Sequence, residues 1–119
     1  MSPQSGVASP ARGEIWEVDL GPTVGREQSG RRPALIVSDN ALNSGPRGLV
    51  VVIPVTSTLR GLPTHIAVNS PEGGLMKPSA IMTEQVRSVS KDRLGRRFGI
   101  VNQATMSQVD QVLRIVLGL

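Results

Sequence analysis

Residues 31–56 read RRPALIVSDNALNSGPRGLVVVIPVT: two arginines, then two runs apolar at odd and even positions alike, joined by a polar segment rich in turn formers. A strand buried on one face alternates apolar with polar residues, whereas a run apolar throughout is covered on both faces. PALIVS (33–38) and LVVVIPVT (49–56) are therefore read as the central strands of a sheet. Pro54 brings no ladder donor to its run, which suggests a bulge or an edge at that point. Outward from this centre, EIWEVDL (14–20) alternates, with Trp16, Val18 and Leu20 on one face and Glu17 and Asp19 on the other, as a half-buried strand does. THIAVN (64–69), SAIMTEQVRSVS (79–90) and FGIVN (98–102) supply the remaining strands, about six in all. So many short strands predict a small antiparallel barrel that curls to avoid open edges.

The period changes near the C-terminus. Met106, Val109, Val112, Leu113, Val116 and Leu117 recur at the spacing of one helical face, and Thr105 with Gln108 fits a capping box. The fold class is thus mainly β with a C-terminal helix, one domain over 13–119. The preceding MSPQSGVASPAR (1–12) is expected to be a disordered tail. It has no apolar run of signal-peptide length, nothing in the chain approaches the ~20 residues of a membrane span, and a cytoplasmic location is expected.

Thirteen Lys and Arg face nine Asp and Glu, so the surface attracts polyanions and nucleic acid is the first partner class to consider. The absence of cysteine excludes a disulfide framework and thiolate metal sites, and a single histidine, His65, makes an imidazole-rich zinc site impossible. No metal and no cofactor are expected. Trp16 and Phe98 are the only aromatics and both sit at core positions, which leaves no stacking platform for bases. Recognition then falls to polar groups of the long connections GPTVGREQSGR (21–31), DNALNSGPRG (39–48) and STLRGLP (57–63). Long loops in a small domain are more often functional than not. If the sheet brings them to one side, Arg32 and Thr56 become neighbours at the ends of two core strands.

RGEIWEVDLGPTVGREQSGRRPALIVS (12–38), VIPVTS (52–57), LPTH (62–65), EQVRSVSKDRL (84–94) and the closing VLGL (116–119) together resemble the MazF and PemK group of toxin endoribonucleases, the mRNA interferases. The resemblance covers nearly everything after Arg12. It implies an SH3-like barrel shared with the gyrase-poisoning toxins, a homodimer, and metal-independent cleavage of single-stranded RNA at short sequences. It also implies a MazE-like antitoxin whose acidic tail occupies the RNA groove. The family's catalytic arginine of the RP pair and the threonine ending the next core strand fall on Arg32 and Thr56. RNA contacts are implied for Glu27, Gln28, Ser57, Gln85 and Arg87. Arg26 stands where the family commonly has a small residue, and its added charge is expected to touch a phosphate.

The residues carry a physical reading of their own. RNA brings its own nucleophile, the 2′-hydroxyl, so an enzyme need only align it, neutralise growing charge and manage two protons. A guanidinium such as that of Arg32 presents a planar fork matched to two phosphate oxygens, and Pro33 biases its backbone to the extended region. The Thr56 hydroxyl can donate to one oxygen and accept from another, with χ1 restricted by the branched Cβ. Read without the resemblance, Arg32 is a solvated gatekeeper, Thr56 a strand filler and Glu27 a surface acid. Gln85 and Arg87, sharing a strand face with Thr83, mark the wet side of a sheet. Alternation along its strand turns His65 to solvent, and one histidine cannot serve as the pair used by pancreatic-type ribonucleases, so it receives at most a minor role. A non-catalytic binder, either a gyrase-poison relative or a barrel that coats RNA, remains the alternative class. The tail LGL (117–119) lacks the aromatic on which gyrase poisons rely.

Overall fold

The computed structural model describes residues 9–119. The order is β1 (Glu14–Asp19), β2 (Arg31–Ile36), a short α1 (Asn40–Asn43), β3 (Leu49–Thr56), β4 (His65–Val68), β5 (Ser79–Met82), β6 (Arg87–Ser90), β7 (Leu94–Ile100) and α2 (Gln103–Leu117). The strands pair antiparallel in the order β4-β5-β3-β2-β1-β7, with β6 also pairing β3. The two doubly apolar runs are central, as their composition requires.

That path does not close, since β4 and β7 end it, so the expected barrel is an open, branched sheet. The branch lies in β3. Leu49–Val52 pair with β6, whereas Val55 and Thr56 pair with β5. Pro54 pairs with Ala34 of β2 and stands, on the other side, between the last β6 partner and the first β5 partner. It is therefore neither an edge nor an isolated bulge: the imino nitrogen falls where the strand exchanges neighbours and a ladder donor has no regular acceptor. SAIMTEQVRSVS, expected as one strand, is accordingly two. A 3₁₀ turn, Thr83–Gln85, separates β5 from β6 and brings the count to seven strands. Its anchor is Thr83, wholly buried, whose hydroxyl donates to the Thr64 carbonyl. Gln85 and Arg87 consequently do not share a strand face with Thr83.

Both faces of the central strands are covered. Ile15, Leu35, Ile53, Val55 and Ile81 face one cluster, which Met106 and Val109 of α2 complete. Val18, Leu20, Ala34, Ile36, Val50, Val52 and Val89 form the other, with Trp16 packed against it. Trp16, Val18 and Leu20 keep their common face, while Ile15 is fully buried on the opposite one, so the start of β1 is covered on both sides. Helix α2 is capped differently from the expected box. Asn102 is extended (φ −81°, ψ 169°) and its side chain accepts from the Thr105 N–H at 2.9 Å. Thr105 lies within the first turn and donates its hydroxyl to Glu72 Oε2 at 2.6 Å. Leu117, expected on the buried stripe, is 53% exposed because the helix runs past the sheet.

The first eight residues of the expected tail lie outside the described residues. At its far end Arg12 donates to the Val37 carbonyl and pairs with Asp110 of α2, joining the chain entry to both the sheet and the helix.

Glu14 ties β1 to the edge strand. Its carboxylate accepts from Ala11 N (2.7 Å), Trp16 Nε1 (3.0 Å) and Arg97 Nε (2.7 Å). Burial pushes its pKa up, but these hydrogen bonds and the Arg97 charge outweigh burial and hold it below the ordinary 4.5. A carboxyl depressed in the folded state stabilises fully above its unfolded pKa, and that stabilisation is lost as pH falls through the folded value. Glu14→Gln should therefore cost about 1 kcal/mol at neutral pH. It should also lose stability less steeply than the parent below about pH 4.5, which urea midpoints measured across that range will show.

Candidate functional site

The site is built on strand ends. Arg32 pairs with Val18 across β1–β2, and the β2–β3 pairing ends at Ala34 and Pro54, two residues short of Arg32 on one strand and of Thr56 on the other. Paired residues share a face, so the row Ile36, Ala34, Arg32 runs beside Val50, Val52, Pro54, Thr56. Both rows begin in the second core cluster and end at the surface with a polar group. Arg32 and Thr56 thus lie at the same end of adjacent antiparallel strands. Arg32 Nε donates to the Ser29 carbonyl at 3.2 Å, which steadies the side chain, and its terminal nitrogens have no acceptor among the described residues. The Thr56 hydroxyl accepts from the Thr58 N–H at 3.0 Å, leaving its proton available.

The β1–β2 loop crosses the same face. Pro22, Glu27, Gln28, Pro54, Gln85 and Arg87 line a cleft of ≈ 600 Å³ between this loop and the sheet. Arg87 reaches it from β6 and donates to the Leu20 carbonyl at the loop base (3.4 Å). Arg26 is exposed at the loop tip and contributes to this cleft and to an adjoining one of ≈ 780 Å³ that Arg60, Leu62 and His65 also border. Thr56 and the exposed Ser57 border a separate, mostly apolar cleft of ≈ 210 Å³ with Pro33, Met76 and Phe98. The structure thus gathers Arg26, Glu27, Gln28, Gln85 and Arg87 along one cleft and sets Arg32 and Thr56 at neighbouring strand ends. It does not bring Glu27 to Arg32: the Glu27 carboxylate turns back on its own loop and accepts from Val24 N–H at 2.7 Å.

His65 departs most from expectation. Its side chain is only 4% exposed, with Nε2 3.1 Å from Glu84 Oε2. A carboxylate accepts only, so Nε2 carries the proton of this bond. Nδ1 is buried and has no hydrogen-bond partner among the described residues. Strand alternation does point His65 to the side of exposed Ala67, but the Thr83–Gln85 turn folds over that side and covers the ring. Glu84 also accepts from the Thr64 hydroxyl at 2.6 Å. Burial pushes its pKa up, and the bonds from Thr64, its own backbone N–H and His65 more than reverse this, leaving it below the ordinary range.

Sequence reasoning missed this Thr64–His65–Glu84 group and the basic Arg60 near it. The signal was the β4–β5 register, His65 opposite Met82, which sets the residues after Met82 beside Thr64 and His65. Recognising it required knowing that the chain turns immediately after Met82. Among the described residues no three acidic or imidazole groups converge as a metal site, and no helix is long and apolar enough to cross a membrane.

Comparison with known proteins places this arrangement. The family described as PemK-like, MazF-like toxin of type II toxin–antitoxin system matches residues 11–117. Endoribonuclease MazF9 of Mycobacterium tuberculosis is 37% identical over 113 residues, spanning 91% of this chain and 96% of that relative. A crystal structure of MazF from Deinococcus radiodurans superimposes with a TM-score of 0.83 at 28% identity, covering 94% of this chain and 99% of the other. A mycobacterial endoribonuclease in complex with its cognate antitoxin superimposes with a TM-score of 0.72 at 32% identity, covering 93% and 95%. With the match running through every strand and the whole closing helix, the chain belongs to the PemK-like, MazF-like toxin family of type II toxin–antitoxin systems.

Proposed function

We propose that the chain is a sequence-specific endoribonuclease that cleaves single-stranded RNA by attack of the ribose 2′-hydroxyl on the adjacent phosphate, with Arg32 and Thr56 as its catalytic residues. The endoribonuclease activity follows from the family and from relatives that carry that name over nearly their whole length. The observation that supports the residue assignment is the Ala34–Pro54 register, which leaves Arg32 and Thr56 on one face at the same end of adjacent strands, with the guanidinium fork unengaged among the described residues.

Arg32 neutralises the charge that develops on the nonbridging oxygens, an interaction stronger in the transition state than in the ground state. Thr56 donates to the same phosphate and accepts from the attacking hydroxyl. Departure of the 5′ oxygen leaves a 2′,3′-cyclic phosphate on one fragment and a 5′-hydroxyl on the other. Neither residue needs a metal, and the scatter of carboxylates among the described residues supports a metal-independent reaction. Arg26 and Arg87 hold phosphates outside the reacting bond, while Glu27, Gln28, Ser57 and Gln85 face bases or sugars.

A MazE-like antitoxin is the natural protein partner, its acidic segment competing with RNA for the same arginines. The cell compartment that follows from an mRNA substrate is the cytoplasm. Ile115, Leu117 and Leu119 are each more than half exposed, and this apolar surface at the end of α2 supports a homodimer. A barrel that only coats RNA needs no guanidinium and hydroxyl set at facing strand ends.

Arg32→Ala and Thr56→Ala should each lower the single-turnover cleavage rate by on the order of a hundredfold, with RNA affinity falling far less in the Thr56 variant. Unchanged turnover in both returns them to gatekeeper and strand filler. An RNA with one 2′-deoxy nucleotide on the 5′ side of the scissile bond should bind as before and resist cleavage in excess chelator, while the all-ribose strand is cut. Cutting of the deoxy strand would require water as nucleophile.

A further inference from the structure

The His65–Glu84 pair takes no part in the chemistry assigned above, yet it joins a histidine side chain only 4% exposed to a carboxylate at the surface. It sits where the β4–β5 ladder ends. His65 opposes Met82, and beyond this pair the chain leaves β5 for the Thr83–Gln85 turn. Two consecutive residues hold that turn. The Thr64 carbonyl accepts from the Thr83 N–H (3.2 Å) and hydroxyl, the Thr64 hydroxyl donates to Glu84 Oε1, and His65 Nε2 donates to Oε2.

The next residue is Gln85. Its Oε1 accepts from the Gln28 N–H at 3.4 Å and its Nε2 donates to the Arg26 carbonyl at 3.2 Å. Among the described residues these are the hydrogen bonds that tie the loop tip, residues 23–28, to another element; the other tip bonds run within the loop, as from Thr23 Oγ1 to the Glu27 carbonyl. Both are at the long end of the useful range, so a small displacement of the turn removes them.

We propose that His65 is a positioning residue: by fixing Glu84 it fixes the turn, so that Gln85 latches the β1–β2 loop across the cleft and holds Arg26, Glu27 and Gln28 in place for RNA. A proton-shuttling role does not fit the geometry. Nε2 is engaged by Glu84, and Nδ1 is buried without a hydrogen-bond partner among the described residues. The inference rests on the endoribonuclease reading only for its consequence; the latch itself is a property of the free protein.

Two measurements separate these. In the free protein, hydrogen exchange at the Gln28 amide should accelerate about tenfold in Gln85→Ala and in His65→Ala, the loss expected for one or two modest hydrogen bonds. His65→Gln, whose amide nitrogen can take the place of Nε2, should keep the parental rate. Glu84→Ala alters an exposed position, leaves the core filled, and should reproduce the His65→Ala rate even where that variant folds poorly. With RNA, His65→Ala should raise KM about tenfold at nearly constant kcat, and in the free protein adding Gln85→Ala to His65→Ala should accelerate Gln28 exchange no further. Unchanged exchange at Gln28 in the His65 and Glu84 variants overturns the latch. Additive effects of His65→Ala and Gln85→Ala, or a fall in kcat at constant KM, overturn positioning as the role of His65. A parent protein that cuts no RNA defeats the endoribonuclease reading and leaves the exchange result to judge the latch.

Discussion

The structure depends on β3 changing partners at Pro54. A strand of eight residues has one ladder edge on each side, and here one edge is given to β2 while the other is divided between β6 and β5. A residue with an N–H at the changeover would leave a buried donor short of an acceptor, at a cost of about 1–3 kcal/mol. Proline removes the donor instead of satisfying it. The division creates the sheet's branch, the turn between β5 and β6, and the cleft whose floor Pro54 provides. The same exchange puts Thr56 beyond the β6 partners, paired with Ala80 of β5.

The charged mouth of the apolar strand β2 has a physical explanation in this frame. Arg31 and Arg32 are adjacent and therefore point to opposite faces. Arg31 lies 3.9 Å from Asp19 at the end of β1, an exposed pair of little energetic weight. Arg32 follows the row that leaves the second core cluster, and its Nε donates to the Ser29 carbonyl at the end of the β1–β2 loop. One arginine pairs with an acid and the other with backbone of the loop.

The central strands were legible in the sequence because burial on both faces erases polar alternation, and few other patterns do so in runs of six to eight residues. The placing of Arg32 and Thr56 at the same end of adjacent strands followed from the same reading, since each is the polar residue at an end of an apolar run. The break at Thr83–Gln85 was not legible: TEQ contains neither glycine nor proline, and the turn is stabilised by Thr64, nineteen residues earlier. His65 was misjudged for the same reason. Its strand is four residues long, and the element that covers its outward side is that unmarked turn. The helix cap was missed because Thr105 satisfies a motif locally while its hydroxyl is claimed by Glu72 from a distant loop. In each case the deciding contact was non-local.

Beside β7, the 3₁₀ turn Glu72–Gly74 approaches so closely that a Cβ on Gly74 would lie 2.0 Å from the Phe98 carbonyl oxygen, and one on Gly99 would lie 2.6 Å from the carbonyl carbon of Gly73. Backbone meets backbone there with no room for a side chain. The sheet is thereby sealed around residues 98 and 99, at the edge where an extended peptide would otherwise add as an extra strand. An extended polypeptide is denied that stretch of the β7 edge, and even a single methyl group in the seam would force the turn off the strand.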